Sequence, residues 1–216
     1  TVALVGNPNT GKSTLFNALT GLRQRVGNYP GVTVARKSGQ CDCGDGTKVE
    51  LIDLPGLYSL SAASPDEQVV IDALSGHLAD DRRPDAVVVV IDATNLLRNL
   101  FLASQLSELD LPVVLVLNQA DVATEQGLKI NTELLSRRLG GIPVVLTSAW
   151  KGEGIAAVRR AIGEALRARV RMPAVEWPPL VAEALADVAA GVTADIGRAP
   201  GRADVERLLF DSTTSV

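Results

Sequence analysis

The chain begins with Val2-Ala3-Leu4-Val5-Gly6-Asn7-Pro8-Asn9-Thr10-Gly11-Lys12-Ser13-Thr14, and the helix-forming run Leu15-Phe16-Asn17-Ala18-Leu19 follows it. An apolar strand, the spacing G-x-x-x-x-G-K-S and a helix are the three parts of a phosphate-binding loop. The two glycines let consecutive backbone N–H groups converge on phosphates at the N-terminus of the helix. The lysine can reach the terminal phosphates, and the serine hydroxyl can ligate Mg²⁺. We therefore expect residues 6–14 to bind a nucleoside triphosphate, and we disfavour a chance glycine-rich turn.

Composition limits the classes of protein to which the chain can belong. Its 216 residues, 46% of them hydrophobic, suit one good-sized domain with a small appendage. A net charge of −4 and a pI near 5.1 argue against nucleic acid as a partner, because such binding favours a basic face. The longest apolar run, around residues 87–91, is far too short for a membrane span of about 20 residues. We expect no direct membrane insertion of this segment.

The alternation of strand and helix patterns predicts the fold class. Strand patterns occupy residues 1–6, 48–53, 85–92, 112–118 and 142–147, and the last three are apolar on both faces. Helical patterns occupy residues 12–21, 95–108, 132–139 and 154–170, and a further helix begins at the capping box of Ser64 and Glu67. This order predicts an α/β fold with a doubly wound, mostly parallel sheet. The turn at residues 40–46 indicates one antiparallel edge strand.

A change of composition after Arg171 suggests the domain organisation. We assign residues 1–170 to the sheet domain and residues 171–179, which contain three prolines, to a linker. Residues 180–216 carry helical patterns at 180–192 and 202–210 without strands. Two such helices bury little by themselves, so they either dock on the sheet domain or belong to a larger helical module that is incomplete here.

Two further motifs follow strand patterns, at the edge where open α/β sheets bind ligands. Asp53-Leu-Pro-Gly56 follows the second strand; its carboxylate can hold Mg²⁺ through water, and the Gly56 N–H can meet a γ-phosphate. Asn118-Gln119-Ala-Asp121 ends a later strand, and its terminal carboxylate can accept hydrogen bonds from the N1–H and N2 amino group of guanine. Adenine offers no such donors, so this site would reject it.

The last strand pattern ends at Thr147-Ser148-Ala149, where a backbone N–H can meet the edge of the base. Taken alone, this segment is also compatible with a helix cap, and the Asn118 motif with a strand-end turn. Their order and spacing behind the phosphate loop favour a guanine site that includes Ser148 and Ala149. Lys12 and Gly56 are the residues of these motifs to which we assign a catalytic role.

Some residues lie outside these motifs. The spacing of Cys41 and Cys43 could bind a soft metal, but no second ligand pair exists, so two reduced thiols in a surface hairpin are favoured. Trp150 is interpreted as a packing residue.

The motif set over residues 1–168 resembles the G domain of small GTPases. In that family the position of Gln119 is normally lysine, whose stem lies against the base and the phosphate loop. Glutamine there removes one positive charge from the site.

Several segments narrow the resemblance to FeoB-type bacterial ferrous iron transporters. They are Gly6-Asn-Pro-Asn9, Thr14–Gly21, Asp53–Leu60 and the first switch segment, residues 27–34, which reads Gly-Asn-Tyr-Pro-Gly31-Val32-Thr33-Val. The resemblance implies that Thr33 closes onto Mg²⁺ in the triphosphate state, beside Gly31 and Val32. Ala35 stands where such proteins usually carry an acidic residue.

The same resemblance implies partners and a location. Members carry a helical regulatory domain after the G domain and continue into a polytopic membrane domain. This segment would then lie at the cytoplasmic face of the bacterial inner membrane, where small accessory proteins of the iron transport system are further candidate partners.

Two residues bear on the mechanism. Leu57 occupies the position at which many GTPases use glutamine to orient the attacking water, so intrinsic hydrolysis should be slow. Asn9 resembles the asparagine of potassium-activated GTPases, whose side-chain oxygen holds K⁺ against the phosphates. The expected cofactors are therefore Mg²⁺ and K⁺, with GTP as substrate and GDP as product. The alternative for Asn9 is a structural role in the loop turn.

Two other functions remain open at this stage. One is a soluble GTPase of RNA modification or ribosome assembly, which shares the Gly-Asn-Pro-Asn loop but which the acidic pI disfavours. The other is a nucleotide-sensing module with little turnover that also accepts ATP, which the glutamine at position 119 keeps open.

Overall fold

The computed structural model describes residues 1–22, 24–29, 34–60, 65–77, 83–173, 179–196 and 205. Seven strands are present in these ranges: β1 Val2–Gly6, β2 Gln24–Asn28, β3 Ala35–Asp42, β4 Lys48–Asp53, β5 Ala86–Asp92, β6 Val113–Asn118 and β7 Val144–Leu146. The helices are α1 Lys12–Thr20, α2 Pro65–Ser75, α3 Leu96–Leu106, α4 Ala120–Glu125, α5 Thr132–Arg138, α6 Ile155–Ala168 and α7 Pro179–Ile196. A 3₁₀ turn, Ser107–Leu109, extends α3.

The strands form one sheet in the order β2-β3-β4-β1-β5-β6-β7. Five strands, from β4 through β7 in that order, pair in parallel. Strands β2 and β3 are antiparallel to their neighbours. The predicted doubly wound, mostly parallel sheet is therefore confirmed.

Helices cover both faces of the sheet, because the central strands carry apolar side chains on both faces and these must be buried. Helices α1 and α6 pack on one face through Leu15, Phe16, Leu19, Val158 and Ile162. Helices α2 and α3 pack on the other face through Val70, Leu74, Leu102 and Leu106. Strands β5 and β6 lie between the two layers and are buried along almost their whole length.

Three features differ from the expectations. The pattern indicated one antiparallel edge strand, but β3 has a second antiparallel partner, the fully exposed β2, which is the true edge. Helix α4 was not predicted. Strand β7 is not covered on both faces, since Leu146 is 39% exposed. It is the last strand of the sheet, so the flanking helices cover it only in part.

The chain continues on the sheet domain as far as Met172, which is buried in the core layer of α2 and α3. Arg171 forms an isolated bridge with Pro112 beside the start of β6. Helix α7 follows from Pro179 to Ile196. Ser64, the predicted capping residue of α2, and most of the predicted helix at 202–210 lie outside the described residues. No helix within the described ranges is both long enough and apolar enough to span a bilayer.

Candidate functional site

The loop between β1 and α1 requires its two glycines for steric reasons. A Cβ at Gly6 would overlap the carbonyl oxygen of Val90 on the neighbouring strand. Gly11 has φ +78°, a conformation that L side chains rarely adopt, and a Cβ there would overlap the amide of Asn118. The loop therefore curls tightly against β5 and β6, so that the N-terminus of α1 opens at the carboxyl edge of the sheet.

Hydrogen bonds hold the rest of the loop. The Thr10 hydroxyl donates to the carbonyl of Asn7 at 2.9 Å. Asn9 is exposed and has φ +66°. Its backbone carbonyl accepts a hydrogen bond from the Gln119 side-chain amide at 3.0 Å. Ser13 and Thr14 are exposed in the first turn of α1. Pro8 lies next to Gly56, because a Cβ on that glycine would come within 3.2 Å of the Pro8 nitrogen.

Lys12 and Asp53 form a buried ion pair under the loop. The Lys12 ammonium contacts Oδ1 of Asp53, and the two side chains are only 10% and 6% exposed. The Ser13 hydroxyl donates to the other carboxylate oxygen at 3.2 Å. The two motifs that carry these residues are 41 positions apart in sequence. Their pairing brings together the three side chains that the sequence assigned to the phosphates and the magnesium ion.

Asn118 joins the phosphate loop to the loops that follow β6 and β7. Its Nδ2 donates to the carbonyl of Thr10 at 2.8 Å. Its Oδ1 accepts from the backbone N–H of Ala149 at 3.0 Å and from the Thr147 hydroxyl at 3.1 Å. Because Asn118 is 3% exposed, these bonds are shielded from water and fix the relative positions of three loops.

Asp121 lies in the first turn of α4, beyond Gln119, which has φ +62° at the N-cap. Its Oδ2 is 3.2 Å from the ammonium of Lys151, a residue of the loop that follows β7. The Lys151 hydrogen bond, with a second one from Ser148, holds the pKa of the Asp121 carboxyl below its usual range. The carboxylate is thus ionised and able to accept two donors at once. Sequence reasoning missed Lys151, because nothing local marks it as the partner of Asp121.

The two switch segments are described in part. Tyr29 is buried, and its N–H donates to the carbonyl of Val34 at 3.0 Å, which brings the two described ends of the first segment together. Gly31, Val32 and Thr33 lie outside the described residues. In the second segment, the N–H of Leu57 donates to the carbonyl of Gly6 at 3.2 Å. The Leu57 side chain is fully buried in the core, so it faces away from solvent at the site.

The residues outside the motifs are placed differently from expectation. Cys41 and Cys43 are free thiols, but both are buried in the core layer of α1 and α6, so the surface-hairpin interpretation is wrong. They alternate with exposed residues at the end of β3 and just beyond it, and this side of the hairpin therefore faces inward. Trp150 is 88% exposed, so the packing interpretation is also wrong. Among the described residues, no group of three or more His, Cys, Asp or Glu could hold a metal ion.

A comparison with protein families identifies the family of this chain. A family model described as ferrous iron transport protein B matches residues 1–162. The chain belongs to this family. The Fe(2+) transporter FeoB of Escherichia coli (strain K12) is 48% identical over 166 residues, and that of Salmonella typhimurium is 49% identical. Each alignment covers 75% of this chain but only 21% of the relative, so the chain spans about a fifth of the curated relatives it matches.

Solved FeoB structures share the fold. The cytosolic domain of T. maritima FeoB in its apo form is 35% identical with a TM-score of 0.85, covering 96% of this chain and 80% of that chain. A GDP-bound mutant of S. thermophilus NFeoB is 40% identical with a TM-score of 0.82, covering 98% and 79%. The chain therefore has the P-loop GTPase fold of FeoB G domains.

Proposed function

We propose that this FeoB-family domain binds GTP and hydrolyses it to GDP and phosphate. The observation that carries the proposal is the Asn118 side chain, which hydrogen-bonds the phosphate loop through Thr10 and the candidate base-binding loop through Ala149. One buried residue thus sets the spacing between a phosphate site and a base site. The GDP-bound S. thermophilus relative supports guanine nucleotide as the ligand.

The base site consists of Asn118, Gln119, Asp121, Ser148 and Ala149. Its specificity comes from the Asp121 carboxylate, which is ionised and can accept the N1–H and N2 donors of guanine. Adenine would leave this carboxylate without donors, and an unpaired charged acceptor covered by a base is costly. The site therefore selects guanine, because binding adenine would cost the free energy of covering an unpaired carboxylate.

The phosphate site consists of the loop Gly6, Asn7, Pro8, Asn9, Thr10, Gly11, Lys12, Ser13 and Thr14. The Lys12 ammonium is paired with the Asp53 carboxylate in the structure. The phosphates of a bound nucleotide carry more negative charge than the Asp53 carboxylate, and they would compete with it for Lys12 at the N-terminus of α1. We infer that binding draws Lys12 from Asp53 towards the β- and γ-phosphates.

The carboxylate that Lys12 leaves fits a magnesium site. The Ser13 hydroxyl and the Asp53 carboxylate already lie 3.2 Å apart, and hard oxygen donors of this kind are the ligands that Mg²⁺ prefers. Ser13 would bind the ion directly, Asp53 through water, and Thr33 from the first switch. The ion supplies neutralisation of the charge on the transferred phosphoryl group.

Turnover should be slow because the residue after Gly56 is leucine, which has no polar group to orient the attacking water. Leu57 is apolar and its side chain is buried in the core, so neither its chemistry nor its position suits that role. The Gly56 N–H would donate to the γ-phosphate. Asn9, which is exposed at the site, would hold K⁺, whose positive charge stabilises the charge that develops between the β- and γ-phosphates.

We further propose that the domain regulates a membrane ferrous iron transporter from the cytoplasmic face of the membrane. The identity to the Fe(2+) transporters FeoB and the likeness to their cytosolic domains support this role. Residues 1–170 would form the G domain, 171–179 a linker and 180–216 part of a helical regulatory domain. The transporter's own membrane domain is the expected partner, with small accessory proteins as further candidates.

Hydrolysis of GTP and ATP by the purified domain tests the proposal. We expect Mg²⁺-dependent release of phosphate from GTP, much less from ATP, and loss of both activity and GTP-analogue binding in Lys12→Ala. Equal turnover of ATP would instead favour the nucleotide-sensing module with broad specificity. Binding of GTP analogues by Lys12→Ala within a few-fold of the unsubstituted domain would refute the phosphate-loop assignment.

A further inference from the structure

The Asp121–Lys151 ion pair joins two loops that are separate in sequence. Asp121 follows β6, and Lys151 follows β7. The lysine side chain is 47% exposed, whereas the aspartate side chain is 18% exposed. The cation therefore approaches the carboxylate from the solvent side and leaves the deeper part of the loop cluster to Ser148 and Ala149, which are buried.

Without Lys151, the base site would lack the positive charge that a lysine at position 119 would bring. Position 119 carries glutamine, whose Nε2 donates to the Asn9 carbonyl at 3.0 Å and so ties the base-binding loop to the phosphate loop. An amide makes this hydrogen bond as a lysine would, but it brings no charge. The ammonium of Lys151, at 3.2 Å from Asp121, supplies a positive charge beside the base site.

We propose that Lys151 is a positioning residue for guanine recognition, which holds the Asp121 carboxylate in the orientation that accepts the N1–H and N2 donors of the base. A lysine at position 119 would supply both a hydrogen bond to the phosphate loop and a positive charge at the base site. In this chain, Gln119 supplies the hydrogen bond and Lys151 supplies the charge. This inference rests on the proposed guanine site.

The ion pair leaves room for the base. Lys151 lies 3.2 Å from Oδ2 of Asp121, and a carboxylate can accept about four hydrogen bonds through its two oxygens. Guanine needs one acceptor on each oxygen, so the base can replace the Ser148 or the Val122 donor while the lysine stays bound. A base that covers Asp121 also removes water from the pair, which strengthens the attraction between the two charges.

The charged groups around the pair define its response to pH. Lys151 is the cation that faces Asp121, and the Ser148 hydroxyl and the Val122 N–H are the other donors to the carboxylate. The hydrogen bond to Asp121 raises the pKa of Lys151, and the charges of Glu125 on α4 and Glu153 in the Lys151 loop raise it further. Lys151 therefore stays charged at neutral pH. Its removal should raise the pKa of Asp121, and GDP affinity should then begin to fall at a higher pH during acidification.

Calorimetric titration of the domain with GDP, IDP and ADP between pH 5 and 8 tests the proposal. IDP lacks the N2 amino group, so the GDP-to-IDP ratio reports how well the carboxylate is positioned. We expect Lys151→Met to weaken GDP binding about three- to fivefold at pH 7.5, the range of partly exposed ion pairs. We also expect it to lower the GDP-to-IDP ratio and to shift the acidic loss of affinity to higher pH. Lys151→Arg should largely retain all three properties.

Lys129→Met is the matched control, because it removes the same charge from an exposed lysine beyond α4 and should change none of these quantities. An unchanged pH profile and ratio in Lys151→Met would overturn the inference while leaving the guanine site intact. Tighter GDP binding in that variant would also overturn it, because the lysine would then compete with the base. If the unsubstituted domain did not prefer GDP to ADP, the proposed function itself would fail.

Discussion

The Asn118 side chain lies within hydrogen-bonding distance of the Thr10 carbonyl, 108 residues away in sequence, and donates to it at 2.8 Å. The same side chain accepts from Ala149 and Thr147, so one buried amide joins three separate loops. This arrangement makes the candidate nucleotide site a single connected unit.

Asn118→Ala should therefore destabilise the domain and weaken nucleotide binding together. Truncation leaves the buried Thr10 carbonyl and Ala149 N–H without their partner, and we expect a loss of about 2–4 kcal/mol in the free energy of unfolding. Urea denaturation measures it. Asn95→Ala is the control, since Asn95 is exposed and makes no side-chain cap hydrogen bond. A loss as small as that of the control would show that the network is dispensable.

Asp121→Ala should remove most of the preference for GTP over ATP. The change deletes the acceptor for the guanine donors, so we expect discrimination to fall by at least about tenfold, mainly through weaker GTP binding. Competition binding with both nucleotides measures the ratio. Glu164→Ala, which removes an exposed carboxylate from α6, should leave it unchanged. Equal discrimination in Asp121→Ala and in the unsubstituted domain would mean that the base is recognised elsewhere.

Gln119→Lys should tighten the binding of both GDP and GTP. An ammonium can keep the hydrogen bond to the Asn9 carbonyl and makes it charge-assisted, which we expect to improve affinity about fivefold. Gln119→Ala loses the donor and should weaken binding. Equilibrium titration of the two variants gives opposite shifts if the contact matters. Unchanged affinity in Gln119→Lys would show that the surrounding pocket already compensates for glutamine.

Replacement of Na⁺ by K⁺ at constant ionic strength should raise the rate of GTP hydrolysis by about tenfold or more, which corresponds to roughly 1.4 kcal/mol of barrier per factor of ten. The site offers no glutamine after Gly56, and a cation held by Asn9 would stabilise the developing charge instead. Asn9→Ala should lose the stimulation and retain nucleotide binding, whereas Asn95→Ala should keep both. Stimulation that persists in Asn9→Ala would leave Asn9 with a structural role only.

Cys41 and Cys43 should be unreactive in the native domain. Burial raises the pKa of Cys41 to about 11 and also raises that of Cys43, so little thiolate forms at pH 8 and reagents cannot reach it. We expect thiol labelling to be slow in buffer and complete for both residues in denaturant. Rapid labelling of the native protein would contradict the buried position of the hairpin.

The sequence alone determined the parts of the molecule that depend on short, contiguous patterns. Strand β1, the phosphate loop and α1 were predictable because the glycine spacing and the flanking periodicity are local requirements. Asp53 and Asn118 were predictable because each stands at the end of an apolar strand, and parallel strands end at one edge of the sheet. Asp121 was predictable because it follows Asn118 by three residues. The same reasoning predicted the mostly parallel sheet.

The tertiary structure decided what depends on contacts between distant segments. Strand β2 has an exposed, mixed sequence and is a strand because it pairs with β3, which no local periodicity reveals. The burial of Cys41 depends on helices α1 and α6 covering that side of the hairpin. The partner of Asp121 is Lys151, thirty residues further along, because β6 and β7 are neighbours. Each of these contacts joins segments that are distant in sequence. They come close to one another only once the whole sheet has formed.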